Sequence, residues 1–243
     1  MEISFKGKRA LVTGGSRGIG RAISVALAKG GAETIALGSS QTHLDSLKAE
    51  VPDIKTCTVD LSDWDATRSA IEGLGNIDLL VNNAGVSRLG SFIDVKPEDF
   101  DFIMNVNVKA VINVSQVVVK GMLATGKGGA IVNVSSLAST LALKEHTNYC
   151  ASKGALDMMT KVMALELGPT IRVNSVNPTV TMTDMGRYAW SDPKKCQPVL
   201  DRIPLGRFVE IEEVVNAVLF LLSDKASMLN GVQLPVDGGL HTN

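Results

Sequence analysis

Arg9-Ala10-Leu11-Val12-Thr13-Gly14-Gly15-Ser16-Arg17-Gly18-Ile19-Gly20 joins a short apolar run to an alanine-rich stretch that continues to Lys29. The run Arg9–Thr13 has the pattern of a buried strand, and the stretch from Ile19 to Lys29 has the pattern of a helix. Between them Gly14 permits a tight turn, Gly18 lets the backbone approach a pyrophosphate, and Gly20 lets helix and sheet pack closely. The spacing is Gly-x3-Gly-x-Gly, distinct from the commoner Gly-x-Gly-x-x-Gly fingerprint. Any tight strand-to-helix turn needs glycine. The position after the first strand is what favours a dinucleotide site.

The same alternation continues along the chain. Strand patterns follow at Thr34–Leu37, Thr56–Val59, Asp78–Asn82, Ala130–Ser135, Ile171–Val176 and Val232–Val236. Helix-period segments lie between them at about 41–50, 63–73, 97–124, 148–167 and 211–223. Strands apolar throughout, separated by helices, predict a parallel sheet covered on both faces. The expected fold is α/β: a single domain over residues 1–243, with a doubly wound, Rossmann-like, seven-stranded parallel sheet and helices on both faces. The segment 177–204, with Pro178, Pro193, Pro198 and Pro204, reads as irregular. It follows the sixth strand, beyond whose carboxyl end a ligand would bind, and is expected to form the substrate loop.

Composition narrows the function. Hydrophobic residues make up 45% and charged residues 20% of the 243, which excludes intrinsic disorder. The net charge is −1, and no basic block exceeds two residues, so nucleic acid is not an expected partner. No apolar run is expected to reach the ~18 residues of a membrane helix, and Met1–Lys6 lacks the pattern of a signal peptide. Three cysteines and three histidines show no ligand spacing, so neither a disulfide framework nor a metal site is expected. The expected location is cytoplasmic.

The end of the second strand bears on the cofactor. An acid there would accept hydrogen bonds from an adenosine ribose and repel a 2′-phosphate. The residues are Gly38-Ser39-Ser40, with Glu33 and Asp45 off the expected position. The missing acid, together with Arg17 in the glycine turn, favours NADP(H).

Tyr149 and Lys153 stand four residues apart in a helix-period segment, which puts both on one face. A free tyrosine has a pKa near 10, and a neighbouring ammonium favours its phenolate. An ordinary amphipathic helix would also explain the pair. The context adds Ser135 and Ser136 at the end of a central strand, where a hydroxyl can hydrogen-bond a carbonyl, with one position left open between them. Asn82-Asn83-Ala84-Gly85 closes the fourth strand.

Taken in order, Thr13-Gly14-x3-Gly18-x-Gly20, Asn82-Asn83-Ala84-Gly85, Ser136, Tyr149-x3-Lys153 and Val236-Asp237-Gly238-Gly239 resemble the short-chain dehydrogenase/reductase family. The resemblance covers essentially the whole chain. It implies that Ser136 holds a carbonyl oxygen, that Tyr149 donates the proton, and that Lys153 binds the nicotinamide ribose and lowers the tyrosine pKa. It implies that Asn107, with Asn105 two positions away, holds a water linking Lys153 to solvent. Gly14, Arg17, Gly18, Ile19, Gly20, Ser39, Asp60, Leu61, Asn83, Ala84, Gly85, Thr181 and Thr183, together with Tyr149 and Lys153, are the implied cofactor contacts.

Asn177-Pro178-Thr179 departs from the Pro-Gly usual in the family. That loop, with Met158–Pro169 and Trp190-Ser191-Asp192-Pro193, is similar to the branch that reduces ketoses such as L-xylulose or α-dicarbonyls such as diacetyl with NADPH. Members of that branch are homotetramers, and the long helices would form their interface. Ser39 and Leu137 replace the basic and polar residues usual at their positions. Ser136, Leu143, His146 and Trp190 are the candidate substrate contacts. The expected activity is therefore NADPH-dependent reduction of a small carbonyl compound. The rival readings are a 3-oxoacyl-thioester reductase and a non-catalytic NADPH-binding module.

Overall fold

The computed structural model describes residues 3–242. In chain order the first half contains β1 (Arg9–Thr13), α1 (Gly18–Lys29), β2 (Glu33–Gly38), α2 (Gln41–Glu50), β3 (Lys55–Thr58), α3 (Trp64–Glu72), β4 (Leu79–Asn82), α4 (Pro97–Met104) and α5 (Ala110–Thr125). The second half contains β5 (Gly129–Val134), α6 (Thr147–Leu167), β6 (Ile171–Pro178), α7 (Asp184–Ala189), α8 (Pro193–Leu200), α9 (Ile211–Leu222) and β7 (Gln233–Val236). The strands form one parallel sheet in the order β3-β2-β1-β4-β5-β6-β7.

Both faces of this sheet are buried. Ala10 and Val12 of β1 pack with Ile23 and Leu27 of α1 and Val214 and Val218 of α9. Leu11, between them, faces the other way and packs with Val114, Val118 and Met122 of α5. Successive side chains point to opposite faces, so a strand covered on both sides must be apolar at every position.

Two expectations need correction. The segment 97–124 is not one regular helix: α4 and α5 are joined by a π-helical turn, Asn105–Lys109, in which the Ala110 N–H reaches the Asn105 carbonyl. The combined stretch Pro97–Thr125, with a mean hydropathy of 1.5, is also long and apolar enough to cross a membrane by length and composition. It serves here as a core helix, burying Val111, Val114, Val118 and Met122.

The segment 177–204 is also more regular than expected. It carries α7 and α8, each started by a side-chain cap. Thr183 Oγ1 accepts from Gly186 N, and Asp192 Oδ1 accepts from Lys194 N with Pro193 opening the helix. Caps and a proline at the first turn set these helices, which is why helix-former content missed them. The segment is anchored by a small apolar cluster of Cys196, Ile203, Phe208, Leu240 and Leu137, with Trp190 against it.

Candidate active site

Strand order reverses between β1 and β4, whose carboxyl ends Thr13 and Asn82 lie side by side. A crevice opens at such a point because the connections leave it in opposite directions. Thr13 Oγ1 accepts from the main-chain N–H of Asn83 and of Ala84, both at 3.1 Å. The Asn83 amide in turn donates to the carbonyls of Thr13 at 3.0 Å and Gly14 at 3.1 Å. These bonds fasten the glycine turn to the end of β4.

The turn has no room for side chains at its critical positions. Gly14 has φ +61°, and a Cβ at Gly20 would lie 2.2 Å from the Gly14 carbonyl oxygen and 2.3 Å from Asn83 Nδ2. Above the turn lies a cleft of about 810 Å³. Gly14, Arg17, Gly18, Ile19, Gly20, Ser39, Asp60, Leu61, Asn83, Ala84, Gly85 and Thr183 line it. Tyr149, Lys153 and Thr181 are not among the lining residues, and the Thr181 hydroxyl donates to Thr179 O while its backbone bridges to Val209. His43, Phe102 and Val106 also line the cleft, and nothing in their local sequence marks them.

The cleft fits an extended dinucleotide. The glycine cradle and the amino end of α1 suit a pyrophosphate. Arg17, in the turn, and Ser39, after β2, are exposed on the cleft wall. Glu33 is held at the start of β2 by Arg9 and Lys55, and Asp45 accepts from Gln41. The Asp60 carboxylate accepts from the Ser62 N–H and hydroxyl.

Lys153 lies beside Gly85, Tyr149 stands next to Lys153 on α6, and Ser136 lies against Tyr149. A Cβ at Gly85 would lie 3.5 Å from both Lys153 Nζ and Asn107 Oδ1. Of the two serines, Ser135 is buried and its hydroxyl donates to the Lys153 carbonyl. Ser136 is half-buried, accepts from Ala138 N, and lies close enough to Tyr149 to influence its ionisation. The open position is therefore resolved in favour of Ser136.

Burial pushes the Tyr149 phenol above its ordinary value, with Ser136 opposing the rise. The expected lowering by Lys153 does not dominate. The ammonium sits 5.7 Å from the ring centroid and donates to the Val134 carbonyl at 2.9 Å. Burial also pushes Lys153 down to about 8, opposed by the charge of Asp157. A desolvated group favours its neutral form, whichever sign its charge has.

Asn107 sits in the π turn with both ends of its amide hydrogen-bonded. Its Oδ1 accepts from Val86 N at 2.8 Å, and its Nδ2 donates to Val86 O at 2.9 Å and Ser152 Oγ at 3.0 Å. It therefore ties the loop after β4 to α6. The extra residue of the π turn is what aims it there.

Beside Tyr149, His146 has its ring 6.3 Å from the tyrosine ring, with Nδ1 2.6 Å from the Lys144 carbonyl oxygen. Leu143 is exposed beside it in sequence. Trp190 packs on Phe208 with centroids 5.3 Å apart, and Lys195 lies over its ring. Leu137 is buried under the 177–204 segment, so its apolar side chain anchors that segment.

A family model described as enoyl-(acyl carrier protein) reductase matches residues 14–241. L-Xylulose reductase of Mesocricetus auratus is 57% identical over 240 residues, covering 98% of both chains. The chain belongs to the short-chain dehydrogenase/reductase family. D-Erythrulose reductase of Gallus gallus, another relative, is 55% identical over 239 residues, covering 98% of this chain and 97% of that one. Among solved structures, a gluconate 5-dehydrogenase from Burkholderia cenocepacia J2315 in complex with NADP and tartrate superposes with a TM-score of 0.94. It is 33% identical, and the match covers 100% of this chain and 98% of that one.

Proposed function

We propose that this chain is an NADPH-dependent carbonyl reductase acting on ketoses such as L-xylulose or on α-dicarbonyls such as diacetyl. The observation that carries the reading is the grouping of Ser136, Tyr149 and Lys153, with Lys153 against Gly85 in the wall of a cleft that fits a dinucleotide. The relatives named for L-xylulose and D-erythrulose reduction support the substrate class. The structure solved with NADP supports the cofactor.

When bound, the reduced nicotinamide supplies the hydride. Ser136 donates a hydrogen bond to the substrate carbonyl oxygen and orients it. Tyr149 gives its proton to the same oxygen as charge develops there. Its raised pKa keeps it protonated near neutrality, which suits reduction. Lys153 places a positive charge beside the phenolate left behind, and Asn107 holds the loop after β4 against α6. Gly14, Gly18 and Gly20 would cradle the pyrophosphate, and Arg17 and Ser39 would hold the 2′-phosphate. Thr183 reaches the cofactor from the 177–204 segment, and His146, Leu143 and Trp190 bound the substrate space.

The working form is a homotetramer in the cytoplasm. Exposed Ile112 and Leu123 on α5 and Met158, Val162 and Leu165 on α6 support a self-association face, and three free thiols suit a reducing compartment.

The test is consumption of NADPH and, separately, NADH with L-xylulose, diacetyl and an acetoacetyl thioester. Turnover of L-xylulose or diacetyl with NADPH is the expected result. Thioester-only turnover would move the chain to acyl reduction, and silence with all three would leave a binding module.

A further inference from the structure

A carboxylate lies buried beneath the catalytic group. Asp157, one helical turn beyond Lys153 on α6, is 3% exposed. Its Oδ2 accepts from Asn177 Nδ2 at 2.7 Å, and its Oδ1 accepts from Ser175 Oγ at 3.2 Å. The Asn177 amide also donates to the Ser136 carbonyl at 3.2 Å and to Ser139 Oγ at 3.0 Å. Ser139 Oγ donates to that same Ser136 carbonyl at 2.8 Å, and Ser175 Oγ contacts Asn177 Oδ1 at 2.9 Å. Three elements are thus joined through Asp157 and Asn177: α6 with Tyr149 and Lys153, the end of β6 from which the substrate segment departs and, through the Asn177 amide, the turn that carries Ser136.

Hydrogen bonding alone does not call for a charge in this place. A neutral amide or hydroxyl would serve Ser175 and Asn177 without the desolvation cost of an ion. A buried negative charge is stabilised by a positive one, and of the two lysines on the same helix, one turn either side of Asp157, Lys153 is buried and Lys161 exposed. The titratable groups around Lys153 on its own helix are Tyr149, Cys150 and Asp157. From β5 it meets the Val134 carbonyl, and from the π turn the neutral Asn107 lies close by.

We propose that Asp157 is a positioning residue of the active site: its charge keeps Lys153 protonated at working pH, and its bond to Asn177 fixes the Ser136 main chain. The proposal rests on the roles given above to Lys153 and Ser136. Lys153 already lies at about 8 with Asp157 opposing the effect of burial. Without that charge it falls further, and the ammonium becomes the minority form near neutrality.

The experiment compares wild type with Asp157→Asn, whose amide can still accept from Asn177. Lys153 ionisation is followed directly by NMR of cofactor-free protein labelled at lysine ε positions, with Lys153→Met for assignment. The alkaline limb of the kcat/KM profile is measured beside it with NADPH and the substrate that the panel identifies. The expected result is a Lys153 midpoint about one pH unit lower or more, with the alkaline limb moved equally. An unmoved midpoint overturns the proposal, as does a loss of kcat at every pH without a shift of the limb.

Asn177→Ala keeps the charge but cuts the link to Ser136. Its expected result is an unmoved midpoint with kcat about tenfold lower, and wild-type kcat overturns the positioning role. If Asp157→Asn does not fold, Asp157→Ser takes its place in the NMR measurement. If wild type turns over no carbonyl compound, the functional reading fails while the NMR midpoint still decides the role of Asp157.

Discussion

Replacing Lys153 by methionine removes an ammonium that the native state holds at a cost. Lys153 is 4% exposed, and burial brings it from 10.5 down to about 8. At roughly 1.36 kcal/mol per pKa unit, that drop corresponds to about 3 kcal/mol favouring the unfolded state while the lysine is charged in both states. Between these two values the unfolded chain binds the proton and the native chain does not, so native stability rises with pH across that window. From about pH 7.5 to about pH 9.5 the wild type should gain about 2 kcal/mol relative to Lys153→Met, which has no such group. The variant also loses the bond to the Val134 carbonyl and leaves Asp157 unopposed, but those effects set the offset and not the slope. Urea unfolding of both cofactor-free proteins, at equal concentration and at the two pH values, measures the difference. A stability gap independent of pH, or one that moves the other way, would refute the reasoning.

Tyr149→Phe removes the proton donor and keeps the ring. It should lower kcat roughly a hundred- to ten-thousand-fold in the carbonyl assay, while a fluorescence titration shows unchanged NADPH binding. Ser39→Asp puts a carboxylate on the cleft wall where a 2′-phosphate is proposed. It should lower kcat/KM for NADPH about 10- to 100-fold and spare NADH, and equal losses with both cofactors would place the phosphate elsewhere.

The strand and helix alternation was legible because burial on both faces leaves a local record. Leu11 between Ala10 and Val12 is apolar because helices cover both sides of β1. The short helices of the 177–204 segment left no such record, since Thr183, Asp192 and Pro193 start them through single caps. The π turn was equally silent. It inserts one residue into the ladder without altering composition, yet it determines what Asn107 reaches. The sequence marked Leu137 as an apolar residue where a polar one is usual, but not its place: its side chain is buried with residues more than fifty positions away.

The sequence by itself determined the parallel sheet, the glycine turn at the head of α1, and a tyrosine and lysine sharing one face of α6. Each is a matter of local periodicity, spacing or steric freedom, which neighbouring residues fix among themselves. Only the tertiary structure decided between Ser135 and Ser136, turned the Thr181 hydroxyl to the Thr179 carbonyl, and brought Asp157, Asn177 and Ser136 into one network. It also decided the direction in which Tyr149 and Lys153 titrate. The physical reason is that desolvation and hydrogen-bond partnership depend on every element packed around a group, and most of those elements are distant in the chain.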